Sequence, residues 1–144
     1  ENINPNATFI EADLNCCRQG TYPSSVYKQF PCPSRDTELV ENAIKDSHVI
    51  FHLAAEARVQ PSFKNPLYTC YNNSYGTAIV CEYARKHGCM VVYAGSSSFY
   101  GGPYLNPYAF AKWQGEEVIK MYTEVYNIHA GIARFFNVYG PRSR

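Results

Sequence analysis

Apolar runs alternate with stretches of helical periodicity along the chain, and this alternation predicts an α/β sheet. Strands that are buried on both faces of a parallel sheet are apolar throughout, without regular polar positions. Runs of this kind predict strands over 48–55, 90–94 and 130–136, and a short run with the acidic residue Asp13 near its end predicts another strand over 8–14. Apolar residues at the 3.6-residue period, or the signals of helix ends, predict helices over 36–46, 71–87 and 107–126. Such alternation is typical of a parallel sheet with right-handed crossovers.

Residues that favour helix ends mark the borders of these helices. Asp36 is a predicted N-cap, and Asn106 followed by Pro107 predicts a capped start for the last helix. The cations at 85–87, followed by Gly88, predict the end of the middle helix. Positive charge suits the helix dipole there, and glycine accepts the left-handed cap.

The stretch 15–34 lacks any period and is rich in Pro, Cys, Ser and Tyr, so it is predicted to be a long loop or insertion. Its cysteines, Cys16, Cys17 and Cys32, could bind a metal. No His or fourth Cys lies nearby to complete a set of four ligands, so we expect no metal site.

Composition and charge narrow the classes of function. The chain has 144 residues, 46% of them hydrophobic and 17% charged, which is typical of one soluble globular domain. The formal charge of +1 is spread along the sequence, so we expect no nucleic acid and no membrane among the partners. No apolar run reaches the length of a membrane span, and the 6 cysteines form no CxxC pair. We therefore expect a cytoplasmic protein with reduced thiols.

Candidate chemistry is concentrated between the strand 90–94 and the helix that follows it. Three serines at 96–98 come directly after the strand, and Tyr108 and Lys112 stand four residues apart at the start of the helix. Positions i and i+4 share a helix face, so the ammonium group can lie near the phenol and make it a better base. A serine hydroxyl at the strand end could bind the substrate hydroxyl that the phenol deprotonates. Spacing alone leaves open a solvated helix start beside an ordinary serine loop.

Several motifs in a fixed order go beyond this single spacing. They are FIEADL at 9–14, HLAA at 52–55, NSYGT at 73–77, SSSFYG at 96–101, PYAFAK at 107–112 and ARFFNVYGPR at 133–142. With these motifs the chain resembles the extended short-chain dehydrogenase/reductase family, and within it the nucleotide-sugar epimerases and dehydratases. The resemblance covers nearly the whole chain apart from 15–34.

The resemblance implies a role for each residue of the candidate site. By position, Ser96 is the catalytic serine, Tyr108 is the acid/base, and Lys112 orients the nicotinamide ribose and tunes the tyrosine. Ser96, Ser98 and Asn137 would contact the nucleotide-sugar.

The resemblance also implies which residues bind the dinucleotide. They are Asp13 and Leu14 at the adenine end, Leu53, Ala54 and Ala55 along the cofactor, Asn73 in support of the cofactor strand, and Phe135 near the nicotinamide, besides Tyr108 and Lys112. Simpler alternatives stay open for the weaker positions, namely a turn acid at Asp13 and core packing over 53–55.

Ser98 distinguishes between activities within the family. The dehydratases and glucuronate decarboxylases carry a carboxylate two residues after the catalytic Ser or Thr, and a fucose-synthase-like enzyme carries a cysteine there. The resemblance therefore implies NAD-dependent epimerisation at C4 of a nucleotide-linked sugar, through a transient 4-keto intermediate. The alternatives are a dehydratase or decarboxylase of the same family, or a catalytically silent dinucleotide-binding module.

The glycine-rich phosphate loop of this family, GxxGxxG, is absent from residues 1–144. We therefore expect these residues to be an internal part of an NAD-binding epimerase/dehydratase domain, with an atypical insertion at about 15–34. The expected fold is a Rossmann-like α/β parallel sheet with flanking helices that lacks the first βαβ unit and the C-terminal substrate domain. The resemblance further implies NAD as cofactor, with NADP left open, a UDP-hexose as substrate, and a possible homodimer.

Overall fold

The computed structural model of the protein describes residues 5–14 and 35–141. The loop predicted over 15–34, with Cys16, Cys17 and Cys32, lies outside these ranges.

Three parallel strands form the described sheet, in the order β1 (Val49–His52), β2 (Met90–Ser96) and β3 (Ala130–Phe135). In the register of β1 and β2, His52 lies opposite Tyr93, and in that of β2 and β3, Ser96 lies opposite Phe135. The parallel α/β sheet predicted from the sequence is therefore confirmed. All three strands end on the same edge, which is where such sheets bind ligands.

Helices connect the strands and cover one face of the sheet. They are α1 (Arg35–Ile44), α2 (Val59–Lys64), α3 (Pro66–Cys70), α4 (Gly76–His87) and α5 (Pro107–Tyr126), with a π-helical segment (Tyr71–Tyr75) and 3-10 turns at Ser97–Gly101 and Pro103–Leu105. The core lies between β2 and the helices α1, α4 and α5, where Ile44, Val80, Val91, Tyr93 and Ile119 are buried together.

The predicted helix ends are found close to their expected places. Gly88 takes a left-handed conformation with φ of 70° and closes α4, and the Asn106 side chain accepts a hydrogen bond from Ala109 N at 2.8 Å at the start of α5. The helix α1 begins at Arg35, so the predicted cap Asp36 lies inside its first turn. The α4 helix continues a helical path that starts earlier than predicted, at Pro66. Proline fits the first turn of a helix because its missing N–H has no partner there in any case.

The segment 8–14 is not a strand, contrary to the sequence prediction. It runs as irregular backbone into a turn, with Phe9 78% and Ile10 45% exposed. A strand is defined by its hydrogen-bonded neighbour, and within the described residues the sheet offers this segment none.

The first strand is shorter and less buried than predicted. Only Val49–His52 pair with β2, and Phe51 is 69% exposed whereas His52 is 3% exposed. The strand is at the edge of the described sheet and helices pack on one of its faces, so burial alternates along it. The other two strands run to Ser96, two residues beyond the prediction, and to Phe135, one residue short of it.

The cysteines in the described ranges are free thiols: Cys70, Cys81 and Cys89. Burial raises the pKa of Cys81 to about 12, so this thiol is a structural, unreactive group. Within the same ranges no helix combines the length and the apolar character that crossing a bilayer requires, and no group of His, Cys, Asp or Glu side chains could hold a metal ion.

Candidate active site

The three proposed catalytic residues lie on two elements that contact each other, at the end of β2 and in the first turns of α5. Ser96 is the last residue of β2, Tyr108 is the second residue of α5, and Lys112 follows one helical turn later. The 3-10 turns between them reverse the chain, so that the start of α5 packs beside the strand end.

Lys112 is a buried cation anchored to the strand. Its side chain is 6% exposed, Nζ donates to Ala94 O at 2.9 Å, and the ammonium lies 5.1 Å from the centre of the Tyr93 ring. Burial lowers the pKa of Lys112 to about 8, and the negative charge of Glu116 opposes that decrease. The ammonium is thus held on the face of α5 that it shares with Tyr108.

Ser96 and Ser98 form a hydrogen-bonded hydroxyl pair. Ser98 donates twice to Ser96 Oγ, from its backbone N at 3.2 Å and from its own hydroxyl at 2.9 Å. The bond between the two hydroxyls uses one of their protons and leaves the other for an acceptor outside the pair.

Tyr108 is tied to the structure through its backbone. Its N–H donates to Ser62 Oγ at 3.2 Å, and Ser62 Oγ in turn donates to Val59 O at 2.6 Å. The helix α2 thereby holds the first turn of α5. Among the described residues no hydrogen bond joins the Tyr108 phenol to Ser96 or Lys112.

A cleft of about 340 Å³ lies beyond the end of β1 and brings two predicted cofactor segments together. It is lined by Glu11, Ala12, Asp13, Leu14, Ala54, Ala55 and Asn72. Four predicted cofactor residues, Asp13, Leu14, Ala54 and Ala55, therefore share one cleft. Leu53 does not line it and is 68% exposed, so core packing does not account for Leu53 either.

Asn73 holds the loop that follows β1. Its Oδ1 accepts from Glu56 N at 2.7 Å and its Nδ2 donates to Glu56 O at 3.1 Å. Asn73 is 1% exposed and does not line the cleft, so it bonds the loop from the interior of the protein. Its neighbour Asn72 lines the cleft instead, a position that the sequence prediction did not include.

Phe135 and Asn137 lie at the end of β3 and just beyond it. Phe135 pairs in register with Ser96 and is 47% exposed, and Asn137 is exposed. Both are thus on the same edge of the sheet as the hydroxyl pair.

Two groups of buried polar residues near the site were not predicted from the sequence. In the first, His52 Nε2 lies 3.0 Å from Thr77 Oγ1, and the Thr77 hydroxyl donates to Asn73 O at 2.6 Å. Since threonine has one hydroxyl proton, its oxygen accepts from His52, which places the imidazole proton on Nε2. Burial, reinforced by the charge of Lys112, lowers the pKa of His52 to about 4 and keeps it neutral.

The second group is an ion pair between Glu116 and Arg134. The carboxylate is 1% exposed and accepts from Arg134 Nη2 at 2.7 Å and from Nε at 3.1 Å. The sequence contains one signal for the burial of Glu116. This residue follows Lys112 by one helical turn, so it lies on the same, buried face of the helix. Its partner, on β3, could not be read from spacing.

Comparison with known proteins shows the family of the chain. The sequence model of the NAD dependent epimerase/dehydratase family matches residues 12–144. The chain belongs to this family.

The proteins that are similar to this chain include both epimerases and dehydratases, the two activities in the name of the family. The chain is 35% identical to the protein named "Putative UDP-glucose 4-epimerase" of Methanocaldococcus jannaschii, over 98% of this chain and 45% of the relative. Among solved structures, UDP-glucuronic acid 4-epimerase from Bacillus cereus, in complex with UDP-glucuronic acid and NAD, is 28% identical with a TM-score of 0.67 over 73% of this chain and 38% of that one. The dTDP-glucose 4,6-dehydratase DesIV from Streptomyces venezuelae, a double mutant with NAD bound, is 27% identical with a TM-score of 0.68 over 74% and 37%.

The chain spans less than half of the length of the curated relatives it matches, 45% of the first and 37% of the next three. Within that part, the residues fit the two ends of a nicotinamide dinucleotide. The cleft with Asp13 offers a carboxylate at the end of β1, and Ser96, Tyr108 and Lys112 stand at the end of β2.

Proposed function

We propose that this chain carries the catalytic part of an NAD-dependent nucleotide-sugar 4-epimerase, with a UDP-hexose as substrate. The observation that carries the proposal is the hydroxyl pair at the end of β2. Ser98, at the position of the dehydratase carboxylate, donates to Ser96 and presents no acid. Elimination of water requires a group that protonates the leaving hydroxyl, whereas epimerisation at C4 does not.

The proposed roles rest on the hydroxyl pair, on the helix face that Tyr108 and Lys112 share and on the burial of Lys112. Ser96 donates its hydroxyl proton to the oxygen of the sugar 4-hydroxyl, and Tyr108 removes the proton of that hydroxyl. The buried ammonium of Lys112 favours the phenolate electrostatically. The cofactor, when bound, supplies the redox step, and the sugar passes through a 4-keto form that is reduced again on its other face. Tyr108 then returns the proton.

We propose the remaining binding roles on the same basis. Asp13, Leu14, Ala54 and Ala55 would hold the adenine half of NAD in their shared cleft, with Leu53 beside it. Asn73 would act by fixing the loop at Glu56. Phe135 would border the nicotinamide and Asn137 would border the nucleotide-sugar, because both lie at the edge of the sheet where β2 ends with Ser96. A solved relative in complex with UDP-glucuronic acid and NAD supports the proposed cofactor and class of substrate.

The test uses the protein expressed from its complete coding sequence. It is incubated with UDP-glucose, UDP-galactose and their N-acetyl forms, and the products are identified by NMR. We expect the C4 epimer, and we expect Tyr108→Phe to lower kcat by about 10²- to 10⁴-fold because the proton-transfer group is lost.

The matched control is Tyr126→Phe, a loss of the same hydroxyl at the opposite, exposed end of the same helix. It should keep the wild-type rate. A wild-type protein that holds no NAD and yields no epimer would overturn the proposal. Loss of water from the sugar would show a dehydratase, and NAD binding without any turnover would show a silent binding module.

A further inference from the structure

The ion pair between the buried Glu116 and the partly exposed Arg134 connects α5, which carries Tyr108 and Lys112, to the strand that pairs with the end of β2. Glu116 is on α5, one turn after Lys112, and Arg134 is on β3, beside the end of β2. The side chain of Glu116 is 1% exposed and that of Arg134 is 26% exposed. Two guanidinium nitrogens bond the carboxylate, so the geometry of the pair is fixed.

The pair packs directly against the backbone before Ser96. A Cβ placed on Gly95 would lie 2.9 Å from Glu116 Oε1 and 3.3 Å from Arg134 Cγ. Gly95 therefore allows the ion pair to approach the strand as closely as it does. The carboxylate thus fixes the distance between α5 and the residue that precedes the catalytic serine.

The outer face of Arg134 holds the turn that contains Ser98. Its guanidinium carbon lies 3.4 Å from the centre of the Phe99 ring and 5.6 Å from the centre of the Tyr100 ring. Both rings belong to the 3-10 turn Ser97–Gly101, directly after Ser98. A stacked guanidinium restrains the plane of the ring below it, and here that ring restrains the turn.

We infer that the Glu116–Arg134 pair is the positioning device of the serine turn, and that it sets Ser96 and Ser98 relative to Tyr108 and Lys112. The inference rests on the proposed function, since the turn has to be aligned with a base on α5 only if both act on one substrate. Glu116 and Arg134 do not act on the substrate themselves. They act through Gly95, Phe99 and the turn between them.

Three variants separate positioning from general stability. Glu116→Gln removes one charge of the pair, Arg134→Lys keeps the positive charge but loses the planar fork, and Phe99→Leu leaves the ion pair intact and removes the ring under the guanidinium. Each is measured in the protein expressed from its complete coding sequence and loaded with NAD. The readouts are kcat, KM for the nucleotide sugar, bound NAD and the melting temperature.

We expect each variant to lower kcat by about 10- to 100-fold, the loss typical of a small misplacement of catalytic groups. KM should change much less than kcat, since Ser96 and Ser98 are only part of the proposed substrate contacts, and bound NAD should stay within about 2-fold of wild type. Phe99→Leu keeps the inference testable if loss of the buried charge prevents folding, because it leaves the pair in place. The double variant Glu116→Gln/Phe99→Leu should lose less than the product of the two single losses, since both act through the same turn.

The matched control is Glu117→Gln, one residue further along α5. It breaks an exposed ion pair with Lys120, with 2.7 Å between Oε1 and Nζ and both side chains 45% exposed. It should keep wild-type kcat, because it contacts neither the strand nor the turn.

The rate is followed as consumption of whichever nucleotide sugar the wild type converts. Unchanged kcat in Phe99→Leu and Arg134→Lys, or losses that only match a decrease in folded protein, would overturn the inference while the wild type stays active. A wild type that eliminates water overturns epimerisation and leaves the comparison of variants valid. A wild type that converts no nucleotide sugar overturns the proposed function and this inference together.

Discussion

His52 is a titratable residue whose whole environment is fixed by the fold. It is 3% exposed, bonded to Thr77, and its ring centre lies 5.5 Å from that of Tyr93. Nothing in the run HVIFHLAA distinguishes this histidine from His48, which is exposed. The difference arises because position 52 faces the helices.

This burial predicts a dependence of stability on pH. The pKa of His52 is lowered from 6.5 to about 4 in the folded protein, chiefly by burial. Between these values the unfolded chain binds more protons, so the free energy of unfolding falls as the pH falls from 6.5 to 4. The loss from this residue reaches about 3 kcal/mol. Chemical denaturation at a series of pH values measures it in the protein expressed from its complete coding sequence.

His52→Gln should show a shallower loss over that interval, and the control His48→Gln should follow the wild type. Equal slopes for wild type and His52→Gln would contradict the prediction.

At the scale of elements, the contact between α5 and β2 determines where Tyr108 and Lys112 lie. Gly115, in the middle of α5, faces Tyr93 on β2, and a Cβ at position 115 would overlap the Tyr93 hydroxyl. The helix can approach the strand this closely only because residue 115 has no side chain. Lys112 reaches Ala94 O across the same contact.

Gly115→Ala should therefore destabilise the protein, although alanine is the better helix former in general. We expect a decrease of about 1–3 kcal/mol in the free energy of unfolding, the usual cost of overpacking, and a parallel loss of kcat. Adding Tyr93→Phe should restore part of both, because it removes the overlapping oxygen. The control Gly131→Ala, with open space around its added methyl group, should be close to neutral. A Gly115→Ala protein that is more stable than wild type would disprove the close contact.

At the scale of the whole molecule, the proposed cofactor cleft is formed by segments that are far apart in sequence. Residues 11–14 meet 54–55 and Asn72 around one cavity. If Asp13 binds the adenine half of NAD there, Asp13→Ala should raise the Kd for NAD by about 10- to 100-fold, the cost of losing hydrogen bonds to a charged acceptor. Isothermal titration calorimetry measures this Kd.

The control is Glu38→Ala, at an exposed position of α1, which should bind NAD like the wild type. An unchanged Kd in Asp13→Ala would remove Asp13 from the proposed site.

The sequence predicted the parts of this fold that depend on neighbours along the chain. The Asn106 cap, the Gly88 cap and the shared face of Tyr108 and Lys112 are all set within one or two helical turns. Two other features depend instead on the segments that pack or pair beside them, namely the exposure of Phe51 and the irregular path of 8–14. The local sequence pattern does not reveal those neighbours. The pairing of Glu116 with Arg134 belongs to this second kind, since the register of β2 and β3 decides it.

The π-helical segment Tyr71–Tyr75 joins α3 to α4 with one residue more than regular α-turns would hold. Each residue advances a helix by about 100°. Deleting one residue there would leave the helix continuous but would rotate α3 relative to α4 by that angle. Both α3 and α4 pack on α5, so one of them would turn a different face to it. Asn73 would then turn away from Glu56, or Ser74 away from its bond to Gln114 Oε1 at 2.9 Å. The extra residue thus shifts the helical phase so that one helical segment bonds both the loop at Glu56 and the helix α5.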